Sequence, residues 1–71
     1  MNNIQKLINS KNQSKQLFAS TIVDFSNSQG FYSRLCRDIN EMDKDSFSEL
    51  GKTIMKQKFN TSLDVIFWLE C

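Results

Sequence analysis

The feature that most limits the fold of this chain is the absence of proline from a sequence whose apolar residues recur at helical spacing. Its 71 residues contain no proline and only two glycines, so few positions force a helix to end. Early apolar positions follow intervals of three and four residues, at Ile4, Leu7 and Ile8, then at Leu17, Phe18, Ile22 and Phe25. The pattern predicts one all-α domain over residues 1–71, a small bundle of four or five short helices.

Turn-forming residues divide this pattern into separate helices. Asn, Ser, Lys and Asn at 9–12 favour a break near residues 10–13, although one broken helix over residues 3–26 is also compatible with the pattern. A turn at 26–30 then precedes a helix that ends near Met42. Its expected core-facing stripe is Phe31, Tyr32, Leu35, Cys36, Ile39 and Met42, and Arg34–Asp38 and Arg37–Glu41 form i,i+4 pairs on its exposed side.

A fourth helix is predicted between residues 46 and 59. The spacing of Ser46 and Glu49 is that of a capping box, and Phe59 is expected to close the helix. Gly51 lies within the apolar face of this helix. A glycine inside a helix lowers the stability of that helix. We therefore expect Gly51 to serve another purpose, which is to permit the close approach of another helix.

The last nine residues, 63–71, are the most apolar part of the chain. Seven of the nine are apolar, and they include the only tryptophan, yet the segment is too short to span a bilayer. Thr61 and Asp64 have capping-box spacing and predict the start of a helix that is buried on most sides. Ile66, Phe67 and Leu69 should then lie in the core or at a self-interface, which raises the prospect of a homo-oligomer formed through the C-terminal helix.

The composition argues against several kinds of chemistry. The chain has no histidine, so it cannot form a Ser-His-Asp or Cys-His catalytic arrangement, and two cysteines are too few for a tetrahedral zinc site. Cys36 and Cys71 are expected to be reduced, as in a cytoplasmic protein. We therefore expect no enzyme activity, no cofactor and no metal. A net charge of +1 favours neither a nucleic-acid binder nor a DNA mimic.

Two sets of side chains are candidates for binding. Tyr32, Arg34 and Arg37 lie on about three turns of one helix, and with Trp68 they are the residue types that most often anchor protein interfaces. The plainer interpretation is that Phe31, Leu35 and Ile39 belong to the core and the arginines are solvated. Lys52, Lys56 and Lys58 form the second set. These lysines either meet phosphates or an acidic partner, or lie in solvent at a helix end, where the dipole favours cations.

Residues 28–71 resemble small uncharacterised proteins encoded by bacteriophages and other mobile elements. The resemblance lies in Gln-Gly-Phe-Tyr-x-Arg-Leu-x-Arg-Asp-Ile over 29–39 and in Phe59, Asp64, Val65, Ile66, Leu69 and Glu70. It implies a phage-like accessory protein in the cytoplasm of a bacterial host. The hypothesis is a non-enzymatic module that binds a host or antiviral-defence protein as a stoichiometric inhibitor or modulator, with anti-CRISPR inhibitors as one such class. A small nucleic-acid-binding regulator and a structural self-assembling subunit are the alternatives.

Overall fold

Five helices make up the computed structural model, which describes all residues from Met1 to Cys71. They are α1 (Asn3–Ile8), α2 (Gln13–Ser26), α3 (Gly30–Asn40), α4 (Lys44–Met55) and α5 (Ser62–Glu70). The all-α prediction is confirmed, and so is the break between the first two helices. Asn12 forms that break by capping α2, because its side-chain oxygen accepts the Lys15 backbone N–H at 3.0 Å.

The longest helix, α2, is the centre of the fold. It packs against each of the other four helices, and α1 also packs against α3. Each helix contributes to a single cluster of buried apolar side chains, because each has an apolar stripe that is stable only when covered. The cluster contains Ile4, Leu7, Phe18, Ala19, Ile22, Tyr32, Ile39, Ile54, Phe59 and Val65.

The expected start and end of α4 are both wrong. Its N-cap is Asp43, whose Oδ1 accepts the Ser46 backbone N–H at 2.8 Å, so Ser46 lies inside the first turn and forms no capping box with Glu49. The helix ends at Met55, and Phe59 lies in the following loop with its side chain buried in the core. Gly51 faces α2, where the Lys15 side chain lies 3.4 Å from the position that a Cβ would occupy.

A serine on α2 explains why α4 ends early. The Ser14 hydroxyl donates to the Gln57 carbonyl at 2.6 Å and accepts the Phe59 N–H at 3.1 Å. These two bonds satisfy a backbone carbonyl and a backbone N–H that would otherwise form hydrogen bonds within a longer α4. They hold the loop over the N-terminal end of α2 and direct the Phe59 ring inward.

Helix α5 starts as predicted but is covered on one side only. Thr61 and Asp64 form the expected capping box. The helix packs mainly on α2 through the fully buried Val65, while Leu63 and Phe67 are 61% and 63% exposed. Phe67 therefore does not lie in the core of the chain, which was one of the two places expected for it. None of the five helices is long and apolar enough to cross a membrane.

Candidate protein-binding surface on α3

Helix α3 is anchored firmly along its inner side. Tyr32 is only 3% exposed and Ile39 is fully buried. The Tyr32 ring lies 5.3 Å from the ring of Phe25, at the end of α2. Leu35 and Cys36 pack against the same core and are half-buried. These contacts fix which side of α3 faces the solvent.

Hydrogen bonds to α1 hold the other end of α3. The Asn3 side-chain amide donates to the Ile39 carbonyl at 2.8 Å and to the Met42 carbonyl at 3.2 Å, and the Ile39 carbonyl also accepts the Met42 backbone N–H at 3.2 Å. In return, the Asn40 side-chain oxygen accepts the Ile4 N–H at 2.9 Å. Helix α3 is thus a preorganised element, and little ordering is needed before a partner binds to it.

The side of α3 that faces solvent carries an aromatic ring and two arginines. We call this the α3 outer face, and it consists of Phe31, Arg34, Arg37, Asp38 and Glu41, all of them exposed. Phe31 was expected in the core-facing stripe, and that expectation is wrong, because its side chain is 55% exposed. Its ring leans edge-on against Tyr32 with centroids 5.3 Å apart, which leaves the outer edge of the ring uncovered.

The arginines of the α3 outer face have no ionic partner in the chain. The expected pairs of Arg34 with Asp38 and of Arg37 with Glu41 are not formed, since the only ion pair joins Lys52 and Glu49 at 3.5 Å. In both expected pairs the arginine precedes the acid, which is the less favourable order on a helix. Both guanidinium groups therefore keep all their donors available to a carboxylate on another molecule.

Two of the four predicted contact residues lie elsewhere. Tyr32 is buried, so we remove it from the set of side chains that a partner would contact. Trp68 is half-buried on α5, edge-on to Phe18 and Phe59 at centroid distances of 6.0 and 5.6 Å. Most of its ring contributes to the core, so the structure brings together only Arg34 and Arg37 of the predicted four.

The three lysines of the alternative set lie near the end of α4 and in the loop after it. Lys52, Lys56 and Lys58 are all exposed, and Lys52 contacts Glu49. Lys58 also lines a polar cleft of about 290 Å³ between the start of α2 and the α4–α5 loop. The Ser14 hydroxyl in this cleft already bonds to the loop. Lys58 is the one ionisable residue that lines the cleft.

Neither cysteine forms a disulfide, with Cys36 half-buried and Cys71 exposed. Burial raises the pKa of the Cys36 thiol, and a hydrogen bond with the Ser26 side chain opposes this by a smaller amount. Because the thiolate is the reactive form, a raised pKa makes Cys36 a poor nucleophile near neutral pH.

Phe31 is the residue that sequence reasoning assigned to the wrong side. At 100° per residue, it lies close to Arg34 and Asp38 at i+3 and i+7, and a full turn-by-turn assignment would have placed it at the edge of the apolar stripe.

No family model matches the chain, and neither a curated protein nor a solved structure is significantly similar to it.

Proposed function

We propose that the protein is a non-enzymatic module that binds another protein through the α3 outer face. The observation that carries this proposal is the exposed ring of Phe31 one turn from Arg34, with Arg34 and Arg37 both free of ion pairs. Aromatic residues and arginine are enriched at protein interfaces and among the residues that dominate binding energy. The fixed backbone of α3 supports the same function.

The partner is a host or antiviral-defence protein in the bacterial cytoplasm, and the module acts by occupying its surface stoichiometrically, as anti-CRISPR inhibitors do. The resemblance of residues 28–71 to phage-encoded accessory proteins supports this context. The chemistry of the α3 outer face fits a partner site with an apolar pocket for Phe31 beside one or more carboxylates for the arginines.

Comparative affinity capture from the bacterial host tests this function. Three immobilised baits are compared: the wild-type chain, Arg34→Ala with Arg37→Ala, and the control with Lys52, Lys56 and Lys58 replaced by alanine. The proposal predicts a protein retained in near-equal molar amount by the wild type and the lysine control and lost from the arginine variant. If capture instead requires the three lysines and is lost after nuclease treatment, the result favours the small nucleic-acid-binding regulator.

A further inference from the structure

The polar cleft between the start of α2 and the α4–α5 loop is surrounded by lysines. Lys58 lines it, and Lys11 and Lys56 are exposed and each adjoins a lining residue in the chain. The Lys15 side chain reaches α4 one helical turn before Met55, which also lines the cleft. No acidic residue is among the lining residues. In a chain with a net charge of only +1, four lysines are therefore concentrated at one end of the molecule.

The charge of these four lysines is not balanced within the chain. The one ion pair joins Lys52 and Glu49. Asp64 lies near the loop in the sequence, but its Oδ2 is engaged by the N–H groups of Asn60 and Thr61 at 2.9 and 3.1 Å. The first turn of α2 contains no acid either, although the helix dipole favours acids there. Lysines beside the positive end of a helix lower its stability, and a bound anion would remove that cost.

The loop that carries Lys58 is fixed in place. The Ser14 hydroxyl bonds to the Gln57 carbonyl and to the Phe59 N–H, which belong to the residues on either side of Lys58. The Phe59 side chain is only 4% exposed and anchors the same loop in the core. Lys58 therefore extends from an ordered backbone, so a ligand that it binds has little loop ordering to offset.

The walls of the cleft combine hydrogen-bond donors with an apolar surface. Four side-chain amides line it, those of Asn12, Gln13, Gln57 and Asn60, and the NH₂ groups of such amides can donate to phosphate oxygens. Met55 is 53% exposed and provides an apolar wall, and its flexible thioether side chain packs well on a planar ring. The volume of about 290 Å³ lies at the lower end of the range for small-molecule sites, roughly 300–1,000 Å³, and suits a compact ligand.

We propose that this cleft binds a small phosphomonoester, with its phosphate held by Lys58 and the neighbouring lysines and its organic group packed on Met55. A phosphomonoester carries roughly 1.5 to 2 negative charges at pH 7 and has three strong acceptor oxygens. Lysine binds phosphate as a point charge, so several lysines around one cleft can share it. Because ion pairs that are open to solvent are individually weak, we expect a Kd of about 1 mM.

This inference is independent of the proposed function. No residue of the α3 outer face lines the cleft. The Arg34→Ala, Arg37→Ala variant should therefore bind the phosphomonoester like the wild type. A failure of the α3 outer face to bind a protein would leave this site unaffected, and the reverse also holds.

Titration of the ¹⁵N-labelled chain with AMP at constant ionic strength, followed by NMR, tests the site. AMP should shift the backbone signals of residues 12–15 and 55–60. Lys58→Gln should weaken AMP binding several-fold. Lys44→Gln, which removes an exposed lysine at the opposite end of α4, should leave it unchanged.

Two partial ligands test the assignment to a phosphomonoester. Inorganic phosphate lacks the organic group and should bind more weakly than AMP, and adenosine lacks the phosphate and should not bind detectably. Met55→Gln should reduce the difference between AMP and inorganic phosphate. Circular dichroism verifies that each variant is folded.

Several results would overturn the proposal. Equal weakening by Lys58→Gln and Lys44→Gln, or signals that shift along the whole chain, would show unspecific charge attraction. Inorganic phosphate that binds as tightly as AMP would show a bare anion site. A single-stranded oligonucleotide that binds far more tightly than AMP through Lys58 would show that these lysines contact a nucleic acid instead.

Discussion

The indole ring of Trp68 meets the ring of Phe18 edge-on, with centroids 6.0 Å apart, and this contact joins α5 to the centre of α2. Phe18 is almost fully buried, so the pair links the last helix to the main core. Because adjacent helix positions differ by 100°, the burial of Trp68 turns Phe67 toward solvent. The same contact that stabilises the fold thus leaves Phe67 exposed on α5.

Replacement of Trp68 by alanine should destabilise the fold much more than replacement of Phe67. Trp68→Ala removes a largely buried ring from two aromatic contacts and should cost about 3 kcal/mol. Phe67→Ala removes a mostly exposed ring and should cost less than about 1 kcal/mol in dilute solution. Urea denaturation of both variants at low protein concentration measures the difference. Equal losses would mean that α5 is rotated relative to the arrangement described here.

Thr21→Val should stabilise the protein. The Thr21 side chain is fully buried in α2, and its hydroxyl oxygen has no hydrogen-bond partner. An unpaired buried hydroxyl costs roughly 1–3 kcal/mol, and valine fills the same shape without that cost, so we expect a gain of about 1 kcal/mol. Thr53→Val makes the same substitution at an exposed site of α4, where the hydroxyl donates to the Glu49 carbonyl at 3.0 Å, so this control should bring no gain in thermal denaturation. A loss of stability in Thr21→Val would show that the hydroxyl is paired in solution.

The stability of the folded protein should depend on pH in the acid range, in part because of Asp43. The Ser46 backbone N–H, followed by its hydroxyl, lowers the pKa of the Asp43 carboxyl below its usual range. A carboxyl whose pKa is lowered by folding stabilises the folded state fully above the unfolded pKa of about 3.9, and that contribution is lost as the pH falls through the folded pKa.

Asp43→Asn keeps a side-chain acceptor at the N-cap but cannot titrate. The melting temperature of the wild type should therefore fall more steeply than that of Asp43→Asn between neutral pH and about pH 2. Asp43→Ala, which removes the acceptor, should be less stable than Asp43→Asn at every pH. Parallel curves for the wild type and Asp43→Asn would show that the charge at this cap contributes nothing.

The sequence predicted best those features that depend on neighbouring residues. The break before α2 and the capping box at Thr61 and Asp64 are local, and both are confirmed. The end of α4 was missed because the Ser14 bonds to Gln57 and Phe59 join residues more than forty positions apart. At the start of α4, Asp43 and Ser46 are both suitable N-caps, and the spacing of Ser46 and Glu49 favoured the wrong one.

The candidate surfaces were predicted less well. Because α5 is apolar almost all round, its sequence has no periodicity to indicate which face is buried, and only packing on α2 decides that Val65 is buried and Phe67 exposed. Arg34 and Arg37 were placed correctly on the solvent side of α3. Tyr32 was judged by residue type as an interface anchor, but its position next to Phe25 makes it a core residue.

The most direct test of the central claim is the affinity of the captured partner for variants of the α3 outer face, measured by isothermal titration calorimetry. Arg34→Ala with Arg37→Ala should abolish detectable binding, since each anchor of this kind contributes about 2 kcal/mol or more, and the variant should remain folded because both arginines are exposed and unpaired. The triple alanine variant of Lys52, Lys56 and Lys58 should bind like the wild type, with little dependence on salt. Unchanged affinity in the arginine variant, or binding that requires the lysines and weakens steeply with salt, would contradict the account.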